Sequence, residues 1–223
     1  YWLHGLFSIN SLKWRIEMKG SIIILVCFLI GCLNGIYGNV EVDVHGITII
    51  ILYALMLLIG ISLGSNRELS VIKSQLSIKM LIVPVATVTG TFIFSAIAGL
   101  LLSQWSVFEC MAVGSGFAYY SLSSVLITQL KEPSLGVQLA TELGTIALLA
   151  NIFREMTALL GAPLIYRVFG KFAPISAAGV TSTDILLPSI VKYSGKDVIP
   201  IAILHGLLIN VSVPFFVSFF CKM

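Results

Sequence analysis

Residues 198–221 read VIPIAILHGLLINVSVPFFVSFFC, a run with no Asp, Glu, Lys or Arg. At about 1.5 Å of rise per residue, a helix of that length crosses a hydrocarbon layer about 30 Å thick. Three stretches upstream read the same way: residues 20–40, 44–66 around ITIIILYALMLLIGISL, and about 80–103, MLIVPVATVTGTFIFSAIAGLLL. The whole 223-residue chain is 58% hydrophobic and 10% charged, with a mean hydropathy of +1.04. A soluble domain carries about 25% charge, so this composition cannot build a water-exposed surface. The net charge of +3 is small and scattered, which excludes a nucleic-acid footprint. Cys27, Cys32, Cys110 and Cys221 sit mostly inside apolar runs without a CxxC or clustered His, so they predict neither bridges nor a metal site. The chain reads as an all-α polytopic membrane protein whose first partner is the lipid bilayer.

Three other segments are less regular. Residues 134–166, SLGVQLATELGTIALLANIFREMTALLGAPLIY, are helical by pattern and about 50 Å long at helical rise. A helix of that length is expected to tilt, to break near Pro163, or to begin outside the hydrocarbon. Residues 107–130, which contain FECMAVGSGFAYYSLSSVLITQL, and 172–192, which contain APISAAGVTSTDILLPSIV, are crowded with Gly, Ala, Ser and Thr. Backbone interrupted in this way is tolerated at membrane depth only when buried in protein or lining a wet cavity. Both segments are therefore expected to be re-entrant broken helices, with tips meeting near the midplane and about five full spans around them.

Lys and Arg distribution supports that topology. With two re-entrant hairpins and a cytoplasmic N-terminus, Lys13, Arg15, Lys19, Arg67, Lys73, Lys79, Arg167, Lys171, Lys192 and Lys196 all fall inside. Only Lys131 and Lys222 fall outside, and Arg154 lies within the membrane. Met18-Lys19-Gly20 before the first apolar run resembles a natural start, so residues 1–17 are expected to be an N-terminal extension and 18–223 a single transmembrane transporter domain. Gly31, Gly35 and Gly60 are expected to mark a face for close helix packing, by a short membrane partner subunit or a second copy.

Ser115-Gly116-Phe117 can be laid on Ala178-Gly179-Val180, which places Ser121 opposite Asp184. Gly-interrupted segments in corresponding positions point to a substrate site at the interface of inverted repeats. Ionisable groups at membrane depth are expensive and usually functional, which singles out Arg154, Glu155 and Asp184. Asn151 lies four residues before Glu155 and shares its helix face. Asp184 follows Thr181-Ser182-Thr183 in a pattern that can cap a half-helix. Glu155 and Asp184 are expected to face a shared polar cavity with Asn151, Ser121 and Thr183 close by. Arg154 reads either as a structural ion-pair partner of Glu155 or Asp184 or as a ligand for an anionic group. His205 reads as a packing residue or a proton relay. No HExxH, GxSxG or phosphate-binding loop is present, and no acid–His–Ser spacing suggests a triad, so catalytic residues, metal sites and cofactors are not predicted.

The blocks GSGFAYYSLSSVLIT, NIFRE, AGVTSTDILLP and IPIAILHG, in that order, resemble the C-terminal half of the lysine exporter (LysO) family, and GISLGSNRELSVIKS extends the resemblance upstream. The resemblance implies a bacterial inner-membrane exporter of L-lysine and its analogues, with intramembrane acids taking part in transport. Matched block to block, those acids are Glu155 and Asp184. Asn151 departs from the acidic residue that the family's pattern would place before the RE pair, and longer members carry further N-terminal helices. A carboxylate that binds either a proton or the ammonium of the cargo is the minimal antiporter, so proton exchange is the mechanism implied. The competing readings are a non-transporting assembly subunit and a transporter or channel for another solute.

Overall fold

The computed structural model describes residues 78–223 and, upstream, isolated helical positions between Val26 and Ile61. The expectations for residues 1–17, for Met18 and for Gly31, Gly35 and Gly60 lie outside the described residues. The chain divides into two units, Tyr1–Ile50 and Ile51–Met223, and every continuous described helix belongs to the second.

After a 3-10 turn at Ile78–Leu81, helix α1 covers Ile82–Leu101. Helix α2, Val107–Gly114, opens on a reciprocal cap: Ser106 Oγ accepts the Glu109 N–H, and the Glu109 carboxylate accepts the Ser106 N–H. Two glycines set its course. Gly99 of α1 lies against the Val107 backbone, and Gly114 lies against Ser95 and Thr91, so α2 runs back along α1 to its middle. There the helix stops. Phe117 and Ala118 take φ values of 44° and 72°, a left-handed conformation that costs energy for residues with a Cβ.

Helix α3 then covers Tyr120–Phe169 and is two helices in substance, because Gly136 at φ 79° reverses the chain. Gly144 on its second arm is pressed onto Ser124 and Thr128 on its first, so the arms are antiparallel and in close contact. Of the three alternatives expected for residues 134–166, the break near Pro163 does not occur, and the helix continues through it to Phe169. The first arm returns toward the start of α2, where Lys131 Nζ lies 3.2 Å from Glu109 Oε1. Segment 107–135 is thus a helix–tip–helix hairpin whose two ends are joined by an ion pair.

The same plan recurs. Helix α4, Ala173–Ala178, leads to a 3-10 tip at Gly179–Thr183; helix α5, Leu187–Ser194, leads away from it. Lys171 and Asp197 pair across the ends of this second hairpin. A turn at Lys196–Val198 then starts α6, Ile199–Cys221. Helices α4, α5 and α6 each carry Pro in the first turn, where the missing N–H costs nothing.

Among the described residues the two larger buried clusters lie one around each hairpin, and a third, smaller one is centred on Ile203 and Leu204. The first joins Phe117, Leu122, Ile127 and Leu143 to Ile209, Val213 and Phe220 of α6. The second joins Ile175, Ala178, Leu186 and Ile190 to Val83, Ala158 and Ala202. Every described element is helical, and α1, α3 and the run Lys196–Cys221 are long and apolar enough to cross a membrane. Their outward faces carry large exposed apolar groups such as Phe94, Leu101, Phe153, Leu160, Phe215 and Phe219. In water such faces would associate; in lipid they are the expected surface.

Candidate functional site

The two tips touch. The Val180 N–H donates to the Phe117 carbonyl at 3.0 Å, and Gly179, at φ 63°, comes so near that carbonyl that no Cβ would fit. The Phe117 side chain is fully buried between Phe92, at 6.1 Å between ring centroids, and Phe216, at 6.4 Å. Aromatic packing of this kind is what holds the strained residue in place.

Asn151 and Arg154, one helical turn apart on the second arm of α3, serve one tip each. Asn151 Oδ1 accepts the Ala118 N–H at 2.8 Å, and its Nδ2 donates to Ala147 O at 2.8 Å and Val113 O at 3.3 Å. Gly116 leaves room for that amide, since a Cβ there would collide with it. Arg154 binds the end of α4: Nε donates to Ala177 O at 3.2 Å and Nη2 to Ser176 O at 3.1 Å. Its Nη1 donates to Thr91 Oγ1 of α1 at 3.2 Å, and the guanidinium lies 5.4 Å from the Phe117 ring centroid. A cation at the last carbonyls of a helix meets the negative end of its dipole. Arg154 is thus engaged with carbonyls, a hydroxyl and an aromatic face, and the ion pair with Glu155 or Asp184 that the sequence allows does not form.

A cavity of about 720 Å³ opens beside this junction, between α1, α2, α3 and α4. Its polar wall is Thr87, Thr91, Ser95, Asn151, Arg154 and Ser176, and the rest is apolar. Glu155 and Asp184 are not part of that wall, which brings Asn151 together with Arg154 and not, as expected, with the two acids. On the helix Asn151 stands between Arg154 and Glu155, about 60° from the first and about 40° from the second on the other side, and the wall takes the Arg154 side. Glu155 is half-buried, Asp184 is exposed, and they lie within electrostatic reach of each other. Asp184 Oδ1 accepts the N–H of Ile185 at 2.6 Å, two residues ahead of α5, whose N-cap position is Leu186.

Thr183 stays within its own tip, donating to Val180 O at 3.3 Å. Ser121 is exposed on the first turn of α3. The serine beside Asn151 is Ser123, which is fully buried. The left-handed pair Phe117–Ala118 delays the helix start to Tyr120 and so turns Ser123 inward. Thr91 and Ser176 lie outside the set of residues expected from the sequence. Thr87, Thr91 and Ser95, spaced i, i+4 on an otherwise apolar helix, are the signal that points to the first. Among the described residues no group of three His, Cys, Asp or Glu side chains could hold a metal ion.

The profile of the lysine exporter LysO family matches residues 25–221. The chain belongs to that family. The lysine exporter LysO of Escherichia coli (strain K12) is 30% identical over 169 residues, 76% of this chain and 53% of its own length. A relative from Haemophilus influenzae, a putative lysine exporter, is 31% identical over 176 residues, 79% of this chain and 85% of its own length. The chain therefore spans about half the length of the Escherichia coli LysO protein. No solved structure matches it.

Proposed function

We propose that the chain is the membrane-embedded transport part of a secondary exporter of L-lysine and its analogues in the bacterial inner membrane, and not an enzyme. The observation that carries this reading is the contact of two broken helices at their tips, Phe117 O with Val180 N, beside a cavity with a polar wall. Non-helical backbone at membrane depth is tolerated where it is buried in protein or lines a wet cavity, and paired broken helices beside such a cavity point to a solute site. In this reading the hairpins 107–135 and 173–194 are re-entrant from opposite faces and belong to inverted repeats. About five spans surround them, residues 18–223 act as one domain, and the N-terminus is cytoplasmic.

The chemistry fits a cationic amino acid. Its ammonium groups need carboxylates, and Glu155 and Asp184 lie within reach of each other's charge. Its own carboxylate needs donors. Arg154, with five N–H groups of which three are engaged, and the Thr91 hydroxyl supply them on the cavity wall beside Asn151, Thr183 lies at the second tip, and Ser121 stands exposed at the end of the first. Moving one positive charge outward against an inside-negative potential costs about 2.3 kcal/mol per 100 mV. Exchange of one lysine cation for one proton removes that term, which favours proton antiport. The assembly-subunit reading requires Glu155, Arg154 and Asp184 to satisfy one another with no cavity, and the contacts of Arg154 argue against it. A short partner subunit or a second copy is compatible with the exposed apolar faces.

Counterflow of labelled lysine in proteoliposomes tests the reading. Glu155→Gln and Asp184→Asn should each abolish pH-driven export while leaving the protein in the membrane. Export at the normal rate in both variants would sink the assignment of these carboxylates.

A further inference from the structure

His205 of α6 is fully buried beside the second tip. Its Nε2 lies 2.9 Å from the Thr87 hydroxyl of α1, and its Nδ1 lies 3.1 Å from the Ser182 hydroxyl of the tip. Each hydroxyl has a backbone carbonyl in reach as well: Thr87 Oγ1 lies 2.9 Å from Val83 O, and Ser182 Oγ lies 3.0 Å from Ala202 O. Four contacts therefore meet around one ring, and the Gly179 backbone of the tip stands by as a further acceptor for a ring N–H. No Asp, Glu, Lys or Arg lies on α1, on the tip or on α6, and the charge that reaches the ring is Arg154. The ring is fully buried and no carboxylate on these elements balances a second proton, so the neutral imidazole is the one to count.

A neutral imidazole has one N–H, and each hydroxyl has one O–H. Three protons thus serve four contacts. With the ring proton on Nε2, Thr87 keeps Val83 O, and Ser182 must turn from Ala202 O to Nδ1. With the ring proton on Nδ1, Ser182 keeps Ala202 O, and Thr87 must turn from Val83 O to Nε2. In the second arrangement α1 can withdraw cheaply: the Thr87 hydroxyl returns to Val83 O, and only the bare Nε2 loses a partner. Gly206, next in sequence, is pressed on Val180 O and on the Ser182 and Thr183 side chains, so the ring and the tip move together.

We propose that His205 is a positioning residue, a releasable latch that fastens the second hairpin and α6 to α1 and lets them part during transport. The inference rests on the transport reading above and adds to it which elements separate. Thr87 lines the cavity, so parting α1 from the ring widens that space.

The test uses the full chain in lipid vesicles, with its four cysteines replaced by alanine and a single cysteine placed at the fully buried Ala202. Reaction of that thiol with a soluble maleimide reports how often α1 leaves the ring. Thr87→Val keeps the shape and deletes the hydroxyl, and it should raise the labelling rate about tenfold. His205→Gln, whose amide can still reach Thr87, should label more slowly than His205→Leu. In lysine counterflow the same Thr87→Val change should lower kcat and leave KM in place. Labelling of Thr87→Val at the wild-type rate overturns the latch; should that variant fail to assemble, an unchanged rate in His205→Leu overturns it equally. Loss of lysine exchange from every chain, wild type included, overturns the transport reading instead, and the labelling rates still judge the latch.

Discussion

At the base of the first hairpin Glu109 and Lys131 meet with each side chain only 9% exposed; at the base of the second, Lys171 and Asp197 meet at 41% and 69%. The tips differ in the same sense. The first is gripped by Asn151, an amide whose oxygen and nitrogen are both matched to fixed backbone groups. The second is gripped by Arg154 and by a histidine with one proton too few for its contacts. One plan is therefore fastened in two ways, and the difference assigns the first hairpin to the fixed part of the molecule and the second to the part that moves.

Breaking that asymmetry gives a graded series, best read as thermal unfolding in detergent. Lys131→Met strands a buried Glu109 carboxylate and should cost about 3–5 kcal/mol, the largest effect in the set. The double change Lys131→Met with Glu109→Gln should recover most of it. Asn151→Leu leaves the buried Ala118 N–H without its partner, at about 1–3 kcal/mol. Its loss should also remove lysine exchange. Gly179→Ala puts a Cβ into the Phe117 carbonyl at a left-handed φ, and should cost about 1–3 kcal/mol while separating the tips. Asp197→Asn, at the exposed pair, should leave the unfolding midpoint close to that of the unchanged chain. A cost for Asp197→Asn equal to that for Lys131→Met would erase the distinction between the hairpins.

Local pattern carried much of this architecture. The small-residue content of 107–130 and 172–192 located both broken segments, and the two residues laid on each other from sequence, Phe117 and Val180, are the pair that share a hydrogen bond. The charges of NIFRE drew attention to the arm that serves both tips. Other features left weaker traces. Gly136, rather than Pro163, turns the chain, because a proline within a long helix flanked by neighbours is tolerated whereas φ 79° is not helical. The exchange of Ser123 for Ser121 depends on where a helix begins to within one residue, which a backbone conformation and not a composition decides. Thr87 with His205 and Arg154 with Thr91 are 118 and 63 residues apart, so no local window joins them.

The contact between Ala118 and Asn151 also bears on the order in which the protein is made. The first tip leaves the ribosome 33 residues before the amide that satisfies it. At about 5–20 residues per second that interval is about 2–7 seconds. An eight-residue α2 is too short to span the bilayer by itself, so the first hairpin must wait, shielded by the insertion machinery, until α3 has been delivered. The second hairpin meets the opposite situation. Arg154 precedes Ser176 and Ala177 by 22 and 23 residues, so a partner for that tip is already in place when it emerges.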